Sequence, residues 1–90
     1  MIYLDNAATT FQKPAAVQRA VMQAMRTMSS PGRGGYESAR LAEETLFRCR
    51  SAAAALFSVP SAEQVVFTMN ATHALNIAVK SLVRPGGRAI

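Results

Sequence analysis

Val65-Val66-Phe67-Thr68-Met69-Asn70-Ala71-Thr72-His73-Ala74-Leu75-Asn76 is the stretch on which the fold of this chain turns. Its first residues are β-branched or aromatic, which suits an extended strand from Val65 to Thr68. From Ala71 onward the apolar residues Ala71, Ala74, Leu75, Ala78, Val79 and Leu82 recur at helical spacing. The period changes from strand to helix within a few residues. Asn70 stands where a helix N-cap belongs, so the first backbone N–H groups, those of Ala71, Thr72 and His73, are expected to lack intrahelical acceptors. The Thr72 hydroxyl lies beside them and no carboxylate occupies that turn. Unpaired N–H groups at the positive end of a helix dipole favour a phosphate-sized anion, and one hydroxyl donor adds direction. A strand-to-helix junction can equally end in an Asn cap that holds nothing, and the pattern alone leaves both readings open.

On the C-terminal side, the helix is expected to run to about Val83, Pro85-Gly86-Gly87 makes a turn, and Arg88-Ala89-Ile90 begins a further strand. Upstream, Ser58 to Glu63, with Pro60, ends a long helix predicted from about Glu37 to Phe57. Ala42, Leu46, Cys49, Ala53 and Leu56 mark its apolar face, which places Cys49 as a small buried hydrophobe and not a nucleophile. Arg40–Glu44 and Glu44–Arg48 are i,i+4 pairs on its outside.

Before that helix, Ser29-Ser30-Pro31-Gly32-Arg33-Gly34-Gly35-Tyr36 breaks the chain. This Gly-rich loop either brings Arg33 and Tyr36 close to a ligand or another subunit, or simply connects two helices. It has no Walker pattern, since the Gly-Lys-Ser/Thr ending is missing. Pro14 opens a first helix to about Met28, with Val17, Ala20, Val21, Ala24, Met25 and Met28 on one face and the methionines as core filler. The segment Asp5-Asn6-Ala7-Ala8-Thr9-Thr10 follows neither strand nor helix period. Small side chains at Ala7 and Ala8 allow a ligand close to the backbone, and Asn6 offers both donor and acceptor; the alternative is a plain N-terminal arm. Helix, strand, helix, strand in that order implies a parallel sheet that needs more strands, so the chain reads as the front piece of a larger α/β protein.

Ninety residues and 50% hydrophobic content bound a single small domain. No apolar run approaches the ~20 residues that span a bilayer, and Asp5 interrupts any leader-like start, so a cytoplasmic protein is expected, with no membrane partner. One cysteine and one histidine, Cys49 and His73, provide no internal disulfide and no metal-ligand cluster. The net charge of +5 raises nucleic acid as a partner. Its arginines are spread along the chain with no basic run and no interleaved aromatics, which fits solvated helix faces and argues against nucleic acid.

Tyr3-Leu4-Asp5-Asn6-Ala7-Ala8-Thr9-Thr10, Pro31-Gly32-Arg33-Gly34-Gly35-Tyr36 and Val66-Phe67-Thr68-Met69-Asn70-Ala71-Thr72-His73-Ala74-Leu75-Asn76 together resemble the N-terminal part of the class V aminotransferase family, with the cysteine desulfurases as the nearest subgroup. The resemblance covers essentially all ninety residues, with three motifs in order. It implies a pyridoxal 5′-phosphate enzyme of fold-type I, a homodimer (a homo-oligomer in any case) acting on a small amino-acid substrate. The fold expected here is α/β: a helix-rich N-terminal fragment of that architecture with an incomplete sheet. Residues 1–13 would form an arm and substrate loop, 14–57 two helices joined by the loop 29–36, and 64–90 the strand, phosphate-binding turn and helix.

By that resemblance Ala71 and Thr72, behind Asn70, hold the cofactor phosphate. Asn6, Ala7 and Ala8 lie at the substrate mouth, and the loop of Arg33 to Tyr36 lies near the active site across the dimer. The Schiff-base lysine, the aspartate paired with the pyridine nitrogen, the stacking histidine, the carboxylate-binding arginine and the persulfide cysteine all fall further along such chains. His73 and Cys49 match none of them. The expectation is therefore a fragment of a cysteine desulfurase-like enzyme, inactive by itself. The alternatives are another class V activity, such as a transaminase or a selenocysteine lyase, and a non-catalytic helical interaction module.

Overall fold

In the computed structural model, residues 1–88 are described, and they divide into two units, Met1–Cys49 and the residues from Arg50 on, with the boundary inside a helix. Three α-helices carry the chain: α1 (Ala15–Thr27), α2 (Glu37–Leu56) and α3 (Ala71–Leu82), with a short 3-10 turn at Ala62–Gln64. Each lies within a residue or two of the bounds its periodicity predicts. Pro14 sits at the N-cap of α1 in an extended conformation, and its carbonyl accepts from Val17 N–H at 2.9 Å. The ring has no N–H to lose there.

In the first unit, Tyr36 caps α2 through its carbonyl, which accepts from the amides of Ala39 and Arg40, both at 3.1 Å. The loop before it is tied shut by Ser29 N–H to the Ser38 carbonyl at 3.3 Å and by the Ser38 hydroxyl to the Ser29 hydroxyl at 3.1 Å. Gly34 leaves room for the Tyr36 ring: a Cβ there would meet Tyr36 Cε1 at 2.3 Å, so the half-exposed ring would have to swing aside. Arg40 pairs with Glu44 at 2.9 Å, whereas the expected Glu44–Arg48 pair is absent among the described residues. One carboxylate has two candidate partners at i±4, and it takes the upstream one.

In the second unit, α2 ends before Pro60 can act. Ser58 adopts φ 56°, Val59 N–H reaches back to the Ala54 carbonyl at 2.8 Å and Ser58 N–H to the Ala55 carbonyl at 3.3 Å. These two bonds form a Schellman C-cap, with a serine in the left-handed position that glycine usually takes.

Three sequence expectations need correction. Val65–Thr68 is not a strand: Val65 is extended, but no strand is formed among the described residues. A strand exists only through its ladder partner, and none of the described segments supplies one. Ala89 and Ile90, expected to begin another strand, lie outside the described residues. Cys49 is exposed, and Leu46 and Leu56 on the same expected face are exposed too, Leu56 by 77%. Met22 and Met25 are not core filler, Met25 being 81% exposed, while Met28 at the end of α1 is half-buried. Only Ala39, Ala42 and Ala54 are buried among the apolar residues described. Periodicity marks which face of a helix is apolar; burial also needs something laid over that face.

Candidate functional site

Asn70, Ala71 and Thr72 come together on one turn, where the extended segment enters α3. Asn70 is the N-cap, with φ −166° and ψ 174°, and its Oδ1 accepts from His73 N–H at 2.8 Å. The Asn70 carbonyl takes the first intrahelical bond, from Ala74 N–H at 3.1 Å. His73 N–H is therefore occupied, and the expected trio of free amides is reduced to two, those of Ala71 and Thr72, which have no acceptor among the described residues. An N-cap asparagine satisfies one amide of the first turn by its nature, and here it chooses the third.

The turn is tied from both sides. His73 Nδ1 accepts from Met69 N–H at 3.4 Å, and the Thr68 hydroxyl donates to the Asn70 carbonyl at 3.0 Å. A residue three past the cap that bonds back across it is the logic of a capping box, here with imidazole in place of the usual carboxylate or amide. With Nδ1 accepting, the ring proton of neutral His73 resides on Nε2. His73 therefore has a structural duty at the turn, in keeping with its mismatch to any stacking position. No acidic residue lies in the first turn of α3. Two amides with no acceptor, one hydroxyl and the absence of negative charge are the donor set a phosphate monoester requires, so the residues present fit the phosphate of pyridoxal 5′-phosphate. Lys80 lies in the last turn of the same helix, at the opposite end.

In the first unit, Asn6, Ala7 and Ala8 sit on a turn closed by Ala8 N–H and Thr9 N–H to the Asp5 carbonyl at 3.1 and 3.3 Å. Asn6 is engaged within its own loop: Oδ1 accepts from Phe11 N–H at 3.4 Å and Nδ2 donates to the Tyr3 carbonyl at 3.5 Å. Its amide therefore shapes the loop, while Ala7 and Ala8 are exposed on it. Tyr3 does more here than the sequence pattern suggests. Its hydroxyl donates to the Thr9 carbonyl at 2.8 Å, with the Asp5 carbonyl at 3.2 Å, and its ring lies 5.3 Å from that of Phe11. The pair Tyr3 and Phe11 flanking a run of small residues was the available signal. A cavity of about 420 Å³ opens beside this loop, lined by Met1, Tyr3, Asn6, Phe11 and Gln12. Arg33 follows Gly32, whose φ of 73° turns the chain, and it is exposed. No metal-binding cluster of His, Cys, Asp and Glu exists among the described residues, and none of the helices described is long and apolar enough to cross a membrane.

Comparison with known proteins follows the same residues. A family model described as aminotransferase class-V matches residues 2–90. A protein of Mycobacterium tuberculosis (strain CDC 1551 / Oshkosh) named "Probable hercynylcysteine sulfoxide lyase" is 39% identical over 80 residues, covering 89% of this chain and 19% of its own length. Proteins named "Probable cysteine desulfurase" from Streptomyces coelicolor and from Synechocystis are 35% identical over 83 residues and 33% identical over 82. These cover 91% and 90% of this chain, and 20% and 19% of the relatives. The chain thus spans about a fifth of the length of the curated relatives it matches. No solved structure gives a significant match.

Proposed function

The chain belongs to the aminotransferase class-V family, and from that premise we propose that it supplies the phosphate-binding turn of a pyridoxal 5′-phosphate enzyme that removes sulfur from cysteine. The observation that carries this reading is the Asn70–Thr72 turn, with two unpartnered amides, a hydroxyl and no carboxylate. Family membership implies the fold-type I architecture and supports pyridoxal 5′-phosphate as the cofactor. It also supports a homodimer as the working form, in which the helix-rich piece covers a sheet completed by other segments.

When bound, the cofactor acts as an electron sink for bonds around the substrate's α-carbon. The residues here do the holding. The amides of Ala71 and Thr72 bind phosphate oxygens, and the Thr72 hydroxyl donates a further hydrogen bond. Asn70 occupies the His73 amide, so that the anion meets two aligned donors backed by the α3 dipole. In the first unit, the loop closed by Tyr3 and Asn6 presents Ala7 and Ala8, whose methyl side chains leave room for an amino-acid substrate. The names of the relatives divide between cysteine desulfurase and hercynylcysteine sulfoxide lyase, so a lyase acting on a cysteine sulfoxide derivative is the second reading.

Thr72→Val in the intact protein tests the turn. The substitution keeps the shape and removes one charge-assisted hydrogen bond, about 1.5–3 kcal/mol, so cofactor binding weakens tenfold or more in an absorbance titration. An unchanged dissociation constant would place the phosphate elsewhere.

A further inference from the structure

Ten lysines and arginines are distributed through the chain, and nine of them are exposed; Arg50, in α2, is the exception. Its Nε is shielded from water and has no hydrogen-bond partner among the described residues. The one ion pair found there joins Arg40 to Glu44, so no carboxylate balances Arg50. A donor withdrawn from water with no hydrogen-bond partner carries a cost that the nine exposed cations avoid. A leucine or methionine would cover the same apolar surface at less expense. The charge therefore has a task.

The group it faces identifies that task. The Arg50 guanidinium carbon lies over the Phe67 ring, 6.0 Å from its centroid. Phe67 belongs to the extended segment that leads into the α3 cap, three residues before Asn70. That segment makes no ladder bonds among the described residues; local hydrogen bonds hold its two ends, Val65 N–H to the Ala62 carbonyl and the Thr68 hydroxyl to the Asn70 carbonyl, and the Phe67 contact holds its middle. A cation over an aromatic face is attracted by the ring quadrupole, and the attraction strengthens as water is withdrawn, the condition of Arg50 Nε.

We propose that Arg50 is a positioning residue for the cofactor-phosphate turn: its guanidinium, packed on the Phe67 ring, holds the Val65–Thr68 segment against α2 and so sets where Asn70 and the amides of Ala71 and Thr72 stand. This rests on the reading of the turn given under Proposed function. Arg50 touches no cofactor atom and acts through Phe67.

The test uses the intact protein, stripped of cofactor and titrated with pyridoxal 5′-phosphate by absorbance, with the thermal midpoint of each variant measured alongside. Arg50→Met keeps the apolar stem and removes the charge; it weakens cofactor binding about five- to tenfold. Arg50→Lys, which restores a cation over the ring, recovers most of that loss. Phe67→Leu weakens binding to a similar degree, and the double variant Arg50→Met/Phe67→Leu is no weaker than the worse single, since both remove the same contact. Thr72→Val is the control that separates the two ideas. Weakened binding in Thr72→Val with an unchanged dissociation constant in Arg50→Met overturns the role of Arg50 alone. Multiplying effects in the double variant, or a lowered thermal midpoint with unchanged cofactor affinity, overturn it as well. No effect in Thr72→Val overturns the reading of the turn and the inference with it. Should Arg50→Met fail to fold, Arg50→Lys and Phe67→Leu carry the same comparison.

Discussion

Asn70→Asp separates the two jobs of the α3 cap, holding the helix and receiving an anion. Aspartate caps helices as well as asparagine does, and its carboxylate can accept from His73 N–H as Asn70 Oδ1 does at 2.8 Å. A negative charge at this position also favours the helix dipole, by about 0.3–1 kcal/mol. The helix is therefore at least as stable in the variant. The anion site behaves in the opposite way. A phosphate held by the amides of Ala71 and Thr72 would share the first turn of α3 with that carboxylate and would carry a charge of about −1.5 to −2. Two unit charges at 4 Å repel by about 1 kcal/mol in water and about 4 kcal/mol at an effective dielectric of 20; a half-open site between those limits loses roughly 2 kcal/mol or more. That corresponds to cofactor binding about thirtyfold weaker. The assay is titration of the cofactor-free intact protein by absorbance, with circular dichroism to show that the fold is kept. Added salt returns part of the loss, because exposed charges at this distance are partly screened. A folded Asn70→Asp protein that binds the cofactor as tightly as the parent refutes the assignment of the phosphate to this turn.

Ser58→Gly in the intact protein raises the urea midpoint by the equivalent of about 0.5–1 kcal/mol, because glycine relieves the left-handed strain at φ 56° and gives back part of the gain in unfolded-state entropy; an unchanged or lower midpoint contradicts the Schellman cap. Gly34→Ala, whose new Cβ would meet Tyr36 Cε1 at 2.3 Å, displaces that half-exposed ring and lowers the thermal midpoint by the equivalent of about 0.5–1.5 kcal/mol, whereas Gly35→Ala, with nothing within 4 Å, leaves it within the spread of ordinary surface changes. Equal effects at the two glycines would show that the ring does not rest there. The ninety residues produced alone release no sulfide from cysteine above the background of free pyridoxal 5′-phosphate, since Lys13 and Lys80 are their only lysines and Lys80 lies at the far end of α3. The same preparation, if folded, runs as an oligomer by light scattering coupled to size exclusion; a monodisperse, cooperatively melting monomer at micromolar concentration counts against both that expectation and the reading of the chain as part of a larger fold.

Helix boundaries were legible because the signals that set them are local. Asn70 caps α3 through an amide three residues away, Pro14 precedes α1, and the apolar repeat fixes the extent of each helix. The capped start of α3 at Asn70 was legible for the same reason. Its third amide was not, since a sequence does not say which N–H the Asn70 side chain will take. Burial was not legible either. Leu46, Cys49 and Met25 follow helical spacing, but whether they are covered depends on segments far away in sequence. Arg50 escaped notice because one arginine among eight carries no pattern, and only its withdrawal from water sets it apart.

The Val65–Thr68 segment has a consequence beyond the cofactor. Gln64 to Asn70 is seven residues long, rich in β-branched and aromatic side chains, without charge, proline or glycine, and among the described residues it makes no strand ladder, its backbone hydrogen bonds being local ones to Ser61, Ala62, His73 and Ala74. Those are the attributes of a segment that stacks on its own copies at the 4.7–4.8 Å repeat of cross-β fibrils. Glu63 guards one end, and the nearest titratable residue at the other is His73. A stretch of this composition that is left uncovered is suited to seed a fibril, and a charged residue placed within these seven is the change expected to improve the solubility of a shortened form of this protein.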